Sequence, residues 1–162
     1  MSFRVVVRYA YSAGFIARPT LRARPSTRTS STARFEVLEI ERLHGHEQIR
    51  PALLEELTAT IKRDGYIRRP ILVADRDFVV LDGHHRLEVL RVLGCRRIPA
   101  YVVEYFSGFV DLTTWPDAVV SSVTKEEVIR RGLTGDRFPP KTTRHRVAVE
   151  LEDRPTDLRD LR

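Results

Sequence analysis

The chain has a single cysteine, Cys95. No intrachain disulfide is possible, and a reducing, cytoplasmic setting is expected. No apolar run approaches the roughly 18 residues that a membrane-spanning helix needs, so no membrane partner is expected. The first 35 residues lack acidic side chains altogether, while seven arginines stand there (Arg4, Arg8, Arg18, Arg22, Arg24, Arg28 and Arg34). That leaves 21 of the 28 Lys and Arg, and all 22 Asp and Glu, to residues 36–162. The net charge of +6 therefore belongs to the leader. The patterned remainder has no cationic field to draw in a polyanion, and DNA is not an expected partner.

The leader also lacks apolar periodicity where "RARPSTRTSSTAR" runs from Arg22 to Arg34. Residues 1–34 are read as a disordered basic extension. The stretch "FRVVVRYAYSAGFIA" within it is open to three readings: a short strand, a targeting peptide, or translation from an over-called start codon. Residues 35–152 read as one small domain, which suits 162 residues, and 153–162 as a C-terminal tail.

Within that domain "RFEVLEIERL" alternates as a strand. "RPALLEELTATIKRDG" places Leu53, Leu54, Leu57 and Ile61 on one stripe between Pro51 and Gly65, a helix with its start and stop signals. "RRPILVADRDFVVLDG" reads as two strands around an Asp75-Arg76-Asp77 turn, and "HHRLEVLRVLGCRRI" as a helix with Leu87, Leu90, Val92 and Leu93 inward, closed by Gly94. "RIPAYVVEYF" is a further strand. "TKEEVIRRGL" is a short helix with Thr124 and Glu127 at capping-box spacing. "FPPKTTRHRVAVELED" reads as a proline-stiffened loop, then an alternating strand.

Three clusters carry candidate chemistry. Asp82-Gly83-His84-His85-Arg86 stands where a strand gives way to a helix. A helix N-terminus offers unpaired N–H groups to an anion, and a glycine lets a ligand approach the backbone. Cationic side chains in the first turn oppose the helix dipole, a cost that a bound anion would offset. Asp82 is read either as a helix cap or as a carboxylate for a divalent cation. Zinc is disfavoured, since adjacent helical histidines diverge by about 100°. In "HGHEQIRP", Glu47 either stabilises the following helix through its dipole or serves as a general base. In "PPKTTRHR", Lys141, Thr142, Thr143, Arg144 and His145 form either a solvated loop or an anion-binding one. Trp115 is a packing anchor or an aromatic wall for a ligand.

In this order, "HEQ" ahead of a helix, "LDGHHR", a Trp before the last helix and "PKTTRH" resemble the ParB-like free L-serine kinases of the ParB/sulfiredoxin-like superfamily. The resemblance covers residues 36–152. It implies an α+β fold, a small mixed sheet with helices packed on it. It also implies transfer of a phosphoryl group from ADP or ATP, with Mg²⁺, to L-serine, giving O-phospho-L-serine. In that reading Glu47 is the base. Asp82, Gly83, His84, His85 and Arg86 hold phosphates, Asp82 also serving the metal. Trp115, Lys141, Thr142, Thr143, Arg144 and His145 hold the substrate. Sulfiredoxin places a reactive cysteine directly after the corner glycine, where this chain has His84. The ParB partition proteins carry Glu-Arg-Arg there, followed by a helix-turn-helix domain. A nucleotide-binding regulatory domain without kinase activity is the alternative. Longer kinases of this type have a further lobe after the Trp motif. Here eight residues, Pro116 to Val123, separate Trp115 from Thr124, so the C-terminal loop is expected to fold straight back over the corner.

Overall fold

A computed structural model of the chain describes residues 33–162. Of residues 1–34, read as disordered, 1–32 lie outside the described residues, whereas Ala33 and Arg34 open the first strand. In chain order the elements are β1 (Ala33–Glu39), β2 (His44–Gly45), α1 (Pro51–Asp64), β3 (Tyr66–Ile67), β4 (Ile71–Ala74), β5 (Val79–Asp82), α2 (His84–Val92), β6 (Arg97–Val103), β7 (Val110–Thr114), α3 (Lys125–Thr134), β8 (Thr143–Val147) and β9 (Thr156–Asp157). The fold is the expected α+β one, with a mixed five-stranded sheet in the order β1-β6-β4-β5-β2.

The apolar run of β6 explains its central place. It pairs antiparallel with β1 from Ala33↔Val103 to Glu39↔Arg97 and parallel with β4 from Ile71↔Ala100 to Ala74↔Val103. Every residue after Arg97 in it is buried, the mark of a strand covered on both faces. Side chains alternate between two cores. Ile71, Val73, Val80, Ile98, Ala100 and Val102 face α1 and α2, while Leu72, Ala74, Val79, Leu81, Tyr101 and Val103 face α3 and the β7–β8 hairpin.

The structure departs from the sequence reading in four places. The first strand stops at Glu39, and Ile40–Arg42 form a 3₁₀ turn. On α2, Leu87, Val89 and Leu90 are buried but Val92 is 62% exposed. At 100° per residue, position 92 lies about 200° round from position 90, on the side away from the sheet. β7, unread in the sequence, pairs with β8 from Val110↔Val147 to Thr114↔Thr143, and that strand begins inside the "PKTTRH" motif. The residues read as a tail contribute to the fold: β9 pairs with β3, and Leu158 and Leu161, three apart on a 3₁₀ turn, enter the first core.

Candidate active site

Gly83 turns the chain from β5 into α2 at φ +100, and a Cβ there would stand 2.5 Å from Ile71 Cγ2. Only glycine fits this corner. Arg86 closes it from behind, donating to the Arg69 and Pro70 carbonyls at 2.9 and 2.7 Å and to the Asp82 carboxylate at 2.8 Å. Its charge is thus balanced within the corner. The two histidines face the other way. His84 Nε2 accepts from the His46 main-chain N–H at 3.2 Å, and His85 Nε2 from the Arg50 N–H at 2.9 Å. Burial holds both below the ordinary histidine range, His84 the more strongly. These rings are therefore neutral, with the proton on Nδ1. That corrects the expected pile-up of cations against the helix dipole: the first turn carries neutral donors and an already paired arginine.

The same two hydrogen bonds fasten the loop that carries Glu47. Its other side pairs with the chain after α3, where Phe138 N–H donates to the His46 carbonyl and Gln48 N–H to the Phe138 carbonyl, each at 2.9 Å. Glu47 is 9% exposed. Its Oε1 accepts from Thr143 N–H at 2.6 Å and stands 2.5 Å from Thr143 Oγ1, while Oε2 accepts from Lys141 N–H at 3.2 Å. Lys141 adopts φ +57 to present that amide. Burial pushes the Glu47 carboxyl above its ordinary value, and the hydrogen bonds from Thr143 and Lys141 oppose the push. The dipole reading of Glu47 does not hold, since α1 carries no acidic residue in its first turn and the carboxylate is gripped by a loop from far down the chain.

Trp115 spans the clamp. Its Nε1–H donates to the Thr143 carbonyl at 3.0 Å, and the Arg144 guanidinium lies 4.6 Å and the Lys141 ammonium 5.9 Å from its ring. A cavity of about 340 Å³ joins the corner to the clamp, with Glu47, Gly83, His84, His85, Trp115 and Lys141 on its walls. Asp82, Arg86 and Thr143 line it too, and Leu53 and Leu57 of α1 add an apolar side. The remaining candidates stand apart from it. The Thr142 hydroxyl donates to the Pro139 carbonyl at 2.8 Å and is buried in the loop. Arg144 stacks on Trp115. His145, with Nε2 2.9 Å from the Tyr105 hydroxyl, lines a neighbouring cavity of about 770 Å³ that also reaches Asp82.

Sequence reading gave no role to His46. It is fully buried, with Nδ1 2.7 Å from the Val80 carbonyl and Nε2 2.8 Å from Thr143 Oγ1. Its partners lie 34 and 97 residues away, so no local spacing could have signalled it.

The profile of the ParB N-terminal domain matches residues 23–108, and the chain belongs to that family. It is 33% identical over 103 residues to an ATP-dependent L-serine kinase of Staphylothermus marinus, a match covering 60% of this chain and 41% of that protein. It is 31% identical over 98 residues to the ADP-dependent L-serine kinase SerK of Thermococcus kodakarensis, covering 58% and 40%. The matched region thus spans about two-fifths of the length of these curated relatives. Among solved structures, a free serine kinase in complex with AMP aligns with a TM-score of 0.71 at 19% identity, covering 78% of this chain and 93% of that one. The fold is the one that protein has.

Proposed function

We propose that this domain transfers the terminal phosphoryl group of ADP or ATP to the hydroxyl of free L-serine, giving O-phospho-L-serine. One observation carries the reading. Glu47 is held by main-chain N–H groups and a hydroxyl rather than by a cation, and it opens onto the cavity that the glycine corner also lines. A base and a phosphate cradle facing one small space is what transfer between two bound molecules requires. The names of the relatives support the same activity, with ATP as donor in one and ADP in another.

In this mechanism the nucleotide phosphates lie against the amides that open α2, with the Nδ1–H groups of His84 and His85 as further donors. Leu53 and Leu57 give the adenosine an apolar side, and the Lys141 ammonium offsets developing charge on the transferring group. Arg86 and Thr142 hold backbone in place. Trp115, stiffened by Arg144, closes the serine side. Glu47 takes the serine proton as the oxygen bonds to phosphorus and the bond to the bridging oxygen breaks, releasing AMP or ADP. General-base assistance of this kind is typically worth on the order of 10²–10⁴-fold.

Among the described residues no group of three or more His, Cys, Asp or Glu is placed to hold a metal. The donor set fits Mg²⁺ arriving on the nucleotide, which keeps most of its waters and takes one or two carboxylates. Asp82, exposed at the cavity rim and paired with Arg86 through Oδ2, would supply its other oxygen as that carboxylate. Bound there, the ion would neutralise phosphate charge.

The test is incubation with L-serine, Mg²⁺ and ADP or ATP, with phosphoserine as the readout. Phosphoserine from wild type, and on the order of 10²–10⁴-fold less from a Glu47→Gln variant that still binds nucleotide, is expected. Tight nucleotide binding without phosphoserine under any donor would instead favour the regulatory alternative.

A further inference from the structure

Behind Glu47 lies a line of three short polar contacts that the reaction as described does not use. Glu47 Oε1 stands 2.5 Å from Thr143 Oγ1, Thr143 Oγ1 2.8 Å from His46 Nε2, and His46 Nδ1 2.7 Å from the Val80 carbonyl oxygen. Each of these distances is that of a hydrogen bond, and each needs one hydrogen. At these separations no water fits between the partners. Thr143 is 7% exposed and His46 is not exposed at all.

With Glu47 ionised and His46 neutral, only two hydrogens serve these three junctions: the threonine hydroxyl hydrogen and one imidazole N–H. The Val80 carbonyl accepts only, so a proton on Nδ1 satisfies that end. The Thr143 hydroxyl then faces two acceptors and can serve one. Moving the imidazole proton to Nε2 mends the middle junction and leaves Nδ1 facing the carbonyl oxygen lone pair to lone pair. Every arrangement of two hydrogens leaves one acceptor facing another. A third hydrogen completes the line in either of two ways: as a Glu47 carboxyl donating to Thr143, which donates to His46, or as an imidazolium donating to Thr143, which donates to Glu47.

We propose that Glu47, Thr143 and His46 form a single proton-accepting unit that is one hydrogen short at rest, so that His46, acting through the Thr143 hydroxyl, is a positioning residue that sets the proton affinity of the base. This rests on the kinase reading above for its use in turnover. The acceptor O–H bond breaks as its oxygen bonds to phosphorus, and the proton goes to the Glu47 carboxylate. There it fills the empty junction directly, or, with both hydrogens shifted one place, it resides on His46 Nε2. Glu47 Oε1 itself lies 3.9 Å from His46 Nε2, beyond hydrogen-bond reach, so the Thr143 hydroxyl is the bonded link between them. The rings of His84, at 4.6 Å, His145, at 5.6 Å, and Phe138, at 6.3 Å, enclose His46. Burial holds His84 and His145 below the ordinary histidine range. Burial lowers His46 to about 4 and raises Glu47 above its ordinary range, opposite shifts at the two ends of the line.

The experiment uses the full chain with nitrogen-15 histidine, reading the His46 Nε2 shift from about pH 8 to about pH 4, across the ordinary histidine and glutamate ranges. Thr143→Val keeps the side-chain shape and removes the hydroxyl, whereas Thr143→Ser keeps the hydroxyl. A wild-type titration at His46 that Thr143→Ser reproduces and Thr143→Val alters supports the unit. The same titration curve in Thr143→Val and wild type overturns it. In turnover, Thr143→Val is expected to lower kcat about tenfold or more, less than the loss of the base itself. Its nucleotide KM stays at the wild-type value, the acid limb of the pH profile moves, and Thr143→Ser restores that limb. An acid limb unmoved in Thr143→Val also overturns the unit. The two readings fail separately. An altered His46 titration in Thr143→Val without any phosphoserine from wild type keeps the unit and removes the kinase. Phosphoserine with an unaltered titration does the reverse.

Discussion

The corner after β5 and the clamp around Glu47 line the same cavity but are built in opposite ways. The corner is made from consecutive residues, Asp82 to Arg86, whose geometry follows from one glycine at φ +100 and the helix it opens. The clamp joins the loop at 46–48 to the loop at 141–142 and the start of β8 at Thr143, with contacts 94 to 97 residues apart in sequence. A local device depends on backbone conformation, and a non-local one depends on the whole domain being folded. Substitutions at the two should therefore separate, the corner failing in binding and the clamp in turnover.

Glu47→Gln is the strongest test of that separation. It is expected to lower kcat on the order of 10²–10⁴-fold, while nucleotide affinity, measured by calorimetry, stays within about twofold because the corner is untouched. A parallel loss of affinity would show that clamp and corner act as one element. Next comes pH. His46 and His145 are held by burial at about 4 and about 3, below the ordinary 6.5. The unfolded chain binds their protons first as pH falls, so the stability they contribute is whole above about pH 6.5 and is lost on the way down to about pH 4 for His46 and about pH 3 for His145. Each histidine adds a slope of up to about 1.4 kcal/mol per pH unit in that window. Thermal unfolding at about pH 7 and about pH 5 should show a fall in Tm. An unchanged Tm would mean that these rings already take up protons in the native state.

This division also decides what the sequence could reveal. The corner was legible because Asp-Gly followed by a leucine-patterned helix is a contiguous signal, and the helix stops at Gly65 and Gly94 follow the same local logic. Phase on α2 was legible only in part. Leu87 and Leu90 were placed by spacing, whereas Val89 and Val92 were assigned by the position of the sheet, which no helix pattern contains. β7 escaped because Val110–Thr114 offers two apolar residues among polar ones. Such a strand is defined by the partner it pairs with. Glu47 was singled out by its motif, but its grip by Lys141 and Thr143 and its link to His46 are matters of tertiary geometry.

Gly83→Ala tests the corner alone. Alanine at φ +100 is strained, and its Cβ would meet Ile71, which is buried in β4 with little room to move. Strain of this kind costs about 1–3 kcal/mol, and overpacking a core adds a similar amount. Gly65→Ala is the matched control: it has φ +78, but nothing lies within 4 Å of its added Cβ, so only the conformational cost of about 1 kcal/mol remains. Urea denaturation should rank the two, and nucleotide affinity should fall only in the Gly83 variant. Equal losses would mean that the contact with Ile71 is relieved by a shift of the corner, and that the cradle tolerates a side chain.

The smallest expected effect falls on Trp115, which reaches both regions. Trp115→Phe keeps a ring face for Arg144 and removes the Nε1–H that the Thr143 carbonyl accepts. A single neutral hydrogen bond contributes about 0.5–1.5 kcal/mol, a factor of roughly two to twelve. Because that bond holds the strand that grips Glu47, the loss should appear in kcat more than in nucleotide KM. Trp115→Leu removes the ring face as well and should lower kcat further, since the Arg144 contact goes with it. If both variants instead raise nucleotide KM and spare kcat, Trp115 belongs to the corner, and the cavity is divided differently from the way the hydrogen bonds divide it.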